Sequence, residues 1–222
     1  MSFLKDGKSY TFERLDLNDT ALLIVDHQVG LVPLVRDYGP DEFKNNLLAH
    51  AAIGTVFGLP TVLTTTSETG PNGPLIPEIV AMHPDAPYIK RQGEIDAWDN
   101  ADFRAAVKAT GKNQIVLAGI TTDVPLSLRQ EGYSVWVNAQ ASGAGSKVIA
   151  DDAKARMRDA GVHVVSPYVV VADLIRTWAN AQFNVQVLGW DFAYWALRGF
   201  MTEAHAAAIQ NGTLSPGELN GN

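Results

Sequence analysis

The sequence predicts a three-layer α/β/α sandwich on a mostly parallel, doubly wound sheet, with an extra helical segment at its carboxyl end. Two observations carry that prediction. Five short apolar runs recur along the chain: Thr20 to Asp26, Pro60 to Thr66, Asn113 to Ile120, Tyr133 to Ala139 and Gly161 to Ser166. Their near-continuous apolar character suits strands covered on both faces. Helical patterns lie between them, at about Asp41 to Phe57, Ala101 to Ala109 and Ser146 to Ala160. Strands alternating with helices imply right-handed βαβ crossovers and a parallel sheet with helices on both sides.

Each element has a local reason. TALLIVD is an uninterrupted apolar run closed by an acid, which suits a central strand. Tyr88 to Lys90 reads as a short strand entering a loop. The stretch Leu117 to Gly132, LAGITTDVPLSLRQEG, reads as a buried strand turning sharply into a short helix. Fourteen residues from Gly119 to Gly132 leave room for about two helical turns. Ser67 to Pro77 and His83 to Pro87 are dense in Gly and Pro and read as loops. The first is long enough for a lid or an oligomer contact, although an ordinary surface loop is the simpler reading.

A chain of 222 residues, 46% hydrophobic, can bury a substantial core in one large unit. Residues 1–186 are assigned to the α/β domain. Residues 187–222 are assigned to a helical extension and tail, which the aromatic stretch Val187 to Gln210 marks as an oligomer contact. A net charge of −7 argues against nucleic acid or an anionic membrane as the main partner. No run of eighteen apolar residues suggests a membrane span, and the first residues have no signal-peptide core, so a cytoplasmic protein is expected. The cysteine count is zero, which excludes disulfides, thiolate metal sites and a thiol nucleophile. The five histidines show no metal-ligand spacing, and neither a metal nor a cofactor is expected.

Ligands of open parallel sheets bind beyond the carboxyl ends of the strands. Three stretches fall there: Asp26 with His27 and Gln28, Lys90 ahead of RQGEIDAWDN, and the turn ITTDVP. A carboxylate and an ammonium at such a turn can deprotonate a nucleophile and hold its anion, while N–H groups of the next helix receive an oxyanion. A surface ion pair or a helix cap is the bland alternative. His27 reads most simply as a buried, satisfied histidine. By composition Trp98 is a core residue and Asn100 the cap of the ADFRAAVKA helix.

LLIVDHQVGL, YIKRQGEIDAWDNADF and LAGITTDV, in this order and spacing, resemble the isochorismatase-like cysteine hydrolases, in particular their YcaC-like subgroup. The resemblance extends from about Asp16 to Trp178. It implies the isochorismatase-like hydrolase fold and a triad of Asp, Lys and Cys acting on a small amide, other C–N or ester substrate. Asp26 matches the family acid and Lys90 the family lysine. Gln28, Trp98, Thr121 and Thr122 match substrate-binding or oxyanion positions. A non-proline cis peptide would fall at Thr121–Thr122, and assemblies from dimer to octamer would be expected.

At the cysteine position the pattern breaks. Pro125 follows LAGITTDV and either takes the place of the cysteine or follows a deletion that removed it. A proline has no N–H to give an oxyanion, yet suits the first turn of a helix. Thr121, Thr122 and Ser127 offer hydroxyls, which are weaker nucleophiles and need a base in contact. Asp26 could instead activate a water beside Lys90. Two functions follow: a hydrolase with an altered site, or a catalytically inactive homologue that binds a small molecule or serves as an oligomer subunit. A nucleotide-binding reading fails because no G-x-G-x-x-G or P-loop follows the first strand.

Overall fold

The computed structural model describes residues 2–3, 9–10, 12–120, 123–194 and 211–212. Two short antiparallel strands, β1 (Ser2–Phe3) and β2 (Ser9–Tyr10), precede the main sheet. That sheet contains β3 (Thr20–Val25), β4 (Thr61–Thr66), β5 (Tyr88–Arg91), β6 (Gln114–Gly119), β7 (Ser134–Asn138) and β8 (His163–Val165). The strand order is β5-β4-β3-β6-β7-β8, and every pairing is parallel. The chain winds from β3 outward to β5, returns to β6 beside β3, and winds outward again to β8. The expected doubly wound α/β architecture is therefore present, and its direction reverses between β3 and β6, where such sheets open a crevice.

Side-chain alternation along the strands divides the core in two. Leu22 and Ile24 of β3 join the larger cluster, beneath α1 (Pro40–Phe57), α2 (Pro77–Met82), α6 (Pro167–Ile175) and α7 (Asn184–Tyr194). Ala21, Leu23 and Val25 join the smaller cluster, beside α3 (Ala101–Ala109) and α4 (Val124–Gln130). Met157 of α5 (Lys147–Asp159) packs against that second cluster. All six β3 residues are buried, as their unbroken apolar run requires. Each Leu or Ile so covered contributes about 1.5–3 kcal/mol.

Helix ends follow local chemistry. Asn100 caps α3 by accepting from the Phe103 N–H at 3.0 Å, and Ser146 and Ser166 cap α5 and α6 through Ile149 and Val169. Pro40, Pro77 and Pro167 each occupy the first position of a helix, where no N–H is needed. Among helices the sequence did not mark, α2 is too short for a periodic pattern, and α6 is so apolar that its pattern resembles a strand. The carboxyl extension begins with α7 three residues before Val187, and most of the stretch to Gln210 lies outside the described residues.

The long Ser67–Pro77 loop is fastened rather than free. Val29 N–H donates to Pro74 O at 2.9 Å, Gly30 N–H to Asn72 O at 2.8 Å and Ile76 N–H to His27 O at 3.0 Å. A Cβ at Gly30 would collide with the Pro71 carbonyl oxygen, so only glycine permits this approach.

Candidate functional site

Asp26 lies at the carboxyl end of β3, at the reversal of winding. Its φ of 57° is left-handed, a conformation that aspartate tolerates better than most residues and that concentrates at functional positions. The Asp26 N–H still pairs with Thr64 O at 3.0 Å, so the strand register holds while the side chain is redirected. The carboxylate is 3% exposed and accepts, through Oδ1, a hydrogen bond from Nη2 of Arg91. Burial pushes the Asp26 carboxyl above its usual 3.8, and the Arg91 charge and hydrogen bond offset that only in part.

Arg91 is 1% exposed and fully engaged. Nε donates to Thr64 Oγ1 at 3.0 Å, Nη1 to the Glu94 carbonyl and Nη2 to Asp26. Planarity lets one guanidinium satisfy three acceptors in fixed directions. The family resemblance points instead to its neighbour, Lys90.

Lys90 is not at Asp26. Residues of β5 alternate between faces, so Ile89 packs on the second core with Arg91 on its side, while Tyr88 and Lys90 face the other way. Lys90 Nζ pairs with Glu68 Oε2 at 2.9 Å and lies 4.9 Å from the Tyr88 ring centroid, with its side chain 57% exposed. Glu68 also accepts from Thr65 Oγ1 at 2.9 Å and from the Tyr88 hydroxyl. Those bonds bring its carboxyl below 4.5 despite the opposing effect of burial, and burial with the Glu68 contact pushes Tyr88 up to about 12.

The other expected positions divide similarly. Gln28 is fully buried, with both amide ends committed: Oε1 accepts from Thr66 N–H at 2.9 Å, and Nε2 donates to Thr66 O at 2.9 Å and to Gly73 O. It is a clasp for the Ser67–Pro77 loop and leaves no donor for a substrate. Trp98 is a second-core residue, its ring set edge-on against Phe103 and Tyr133. Thr121 and Thr122, with the expected cis peptide between them, lie outside the described residues.

Pro125 is buried in the first turn of α4, the seven-residue helix that the short crossover allows. The helix is tied down from both sides. Ser127 Oγ donates to Asp96 Oδ2, while Asp96 Oδ1 accepts from the Trp98 N–H at 2.9 Å. Val124 and Leu128 pack in the second core with Val25, the residue before Asp26. Thus Asp26, Arg91 and the elbow share one side of the sheet. A groove of about 470 Å³ lies at the other edge, near Pro60, Met82 and Thr110, away from this cluster.

The opposite side of the sheet holds buried histidines. His27 Nε2 donates to Ala141 O at 2.8 Å, and His50 Nε2 donates to Leu23 O at 3.0 Å while Nδ1 accepts from Asn138 Nδ2 at 2.7 Å. Burial lowers His27 to about 4 and His50 to about 3, so both are neutral imidazoles at pH 7.

Residues 20–167 match the isochorismatase domain. The chain belongs to the isochorismatase family. The probable hydrolase YcaC of Escherichia coli is 50% identical over 174 residues, covering 76% of this chain and 84% of that protein. YcaC from Pseudomonas aeruginosa, solved with hexane-2,5-diol and covalent acrylamide, has a TM-score of 0.83 at 48% identity. The match covers 89% of this chain and all of that one. The Escherichia coli YcaC crystal structure, an octameric hydrolase of unknown specificity, gives a TM-score of 0.85 at 43% identity over 90% and 99% of the two chains.

Proposed function

We propose that this chain is a YcaC-like isochorismatase-family protein without thiol-dependent hydrolysis, kept as a homo-oligomer subunit that binds a small molecule. The observation that carries this reading is the absence of any cysteine in the chain, with the buried pair of Asp26 and Arg91 beside it. A hydrolytic acid must be free to take a proton from a nucleophile. Here Oδ1 of the carboxylate is held by a guanidinium that is itself pinned by Thr64 and Glu94, which leaves only Oδ2 to accept a proton. Guanidinium keeps its protons in proteins and cannot relay one. The chain has no cysteine, and Pro125, at or beside the expected nucleophile, gives the elbow neither a thiol nor an N–H. The octameric relative supports assembly of this chain into a homo-oligomer.

A second reading keeps hydrolysis with a hydroxyl nucleophile. The contact of Ser127 with Asp96 favours it, since a carboxylate can accept the hydroxyl proton. Asp96 also caps the turn before α3, so a positioning role explains the same contact.

A panel of small amides and esters, assayed with wild type, Asp26→Ala and Ser127→Ala, separates the readings. The non-hydrolytic reading expects no turnover in any of the three, and binding of at least one panel member in calorimetry. Wild-type turnover that either substitution abolishes would overturn it.

A further inference from the structure

Helix α7 is anchored on one side and bare of charge on the other. Phe183, just before the helix, and its inner residues Val187 and Trp190 are buried in the larger core, and the Trp190 indole N–H donates to Ala49 O at 2.8 Å. The Phe183 and Phe57 ring centroids are 5.2 Å apart. These contacts hold the helix as a firm platform on α1. Outward, Val185 is 56% exposed and Leu188 40%, and Trp178 just before the helix is 49% exposed. Val185 and Leu188 are three residues apart and share one helical face.

The surface between residues 177 and 194 is unusual in its charge. It contains no Lys, Arg or Glu, and its one acid, Asp191, is buried. An outward helix face ordinarily carries charged residues, because these are the side chains that water holds best. The chain as a whole carries −7, so two copies repel through most of their surfaces. Along this stretch they can approach without placing like charges together, and exposed apolar side chains there gain by being covered. By contrast, the exposed apolar residues at the carboxyl edge sit among charges: Ile95 follows Glu94, and Val148 follows Lys147.

We infer that the outer face of α7, with Val185 and Leu188, is a contact between copies of this chain. The inference rests on the homo-oligomer reading and adds the surface to it. A charge introduced into a buried contact between copies is left without a partner, which costs about tenfold or more in association per residue.

Light scattering on the full chain tests this, comparing wild type with Val185→Glu/Leu188→Glu and with Ile95→Glu, each checked for an unchanged circular dichroism spectrum. Wild type is expected at a multiple of 23.9 kDa. The double variant is expected to associate about 100-fold more weakly and to run as a smaller species, with Ile95→Glu unchanged. Wild-type mass in the double variant, or dissociation by Ile95→Glu alone, would overturn the inference while leaving the oligomer reading intact. A monomeric wild type would overturn both. If the double variant does not fold, Leu188→Gln replaces it, and an unchanged association constant for that variant overturns the inference equally.

Discussion

On one face of β5, Arg91 is sealed from water and gives hydrogen bonds to Thr64, Glu94 and Asp26; on the other, Lys90 reaches into solvent toward Glu68. The two cations are adjacent in sequence and have similar charge, yet their surroundings give them different work. Arg91 compensates a carboxylate that would otherwise be buried alone, and its fork satisfies several acceptors at once. Lys90 belongs to an exposed pair that water and salt weaken. The difference shows that charge type alone does not locate a site: one residue of register decides which cation meets the acid.

The comparison can be broken most forcefully at Arg91. Arg91→Ala leaves Asp26 uncompensated in the interior and is expected to cost about 3–5 kcal/mol. Lys90→Ala should cost about 1 kcal/mol or less, because its partner remains partly hydrated. Urea unfolding at neutral pH measures both, and equal losses would erase the distinction drawn between the two faces.

Acid sharpens it from the other side of the sheet. His27 and His50 have folded values near 4 and 3, below the 6.5 of an unfolded histidine. Their contribution is complete above pH 6.5 and is lost as pH falls toward those lowered values, because the unfolded chain takes up protons first. From pH 7 to pH 5 each histidine should remove about 2 kcal/mol of stability. His50→Gln should flatten part of that slope in urea unfolding; an unchanged slope would contradict neutral burial.

The smallest expected effect concerns Glu68. Its carboxyl is lowered below 4.5, so the stability it adds is present above that pH and disappears as pH falls through the lowered folded value. Wild type should exceed Glu68→Gln by under about 1 kcal/mol at pH 7, with a smaller gap at about pH 3. Unfolding curves at the two pH values check the sign, and a gap that widens in acid would refute it.

Much of this arrangement was legible in the sequence. The unbroken apolar run at Thr20 to Val25 marks the central strand, because only a strand covered on both faces tolerates six consecutive buried residues. Asp26 at its end falls at the reversal of winding, and the fourteen-residue crossover limits α4 to two turns. The cap at Asn100 and the place of Pro125 in the first turn of α4 follow from local backbone chemistry. The partner of Asp26 does not. Alternation in YIKR separates Lys90 from Arg91 but leaves open which of them faces Asp26, and the left-handed φ of Asp26 redirects its side chain in a way no periodicity encodes. The hydrogen bonds of Gln28 are illegible for a related reason: they join it to Thr66 and Gly73, dozens of residues away.

A double-mutant cycle between Asp26 and Arg91, using Asp26→Asn and Arg91→Met in urea unfolding, tests the central claim most directly. A structural clasp predicts a coupling energy above about 2 kcal/mol, because each single change strands one buried charge and the double change removes both charges. Additive losses, with a coupling below about 0.5 kcal/mol, would contradict the account and leave Asp26 free for chemistry.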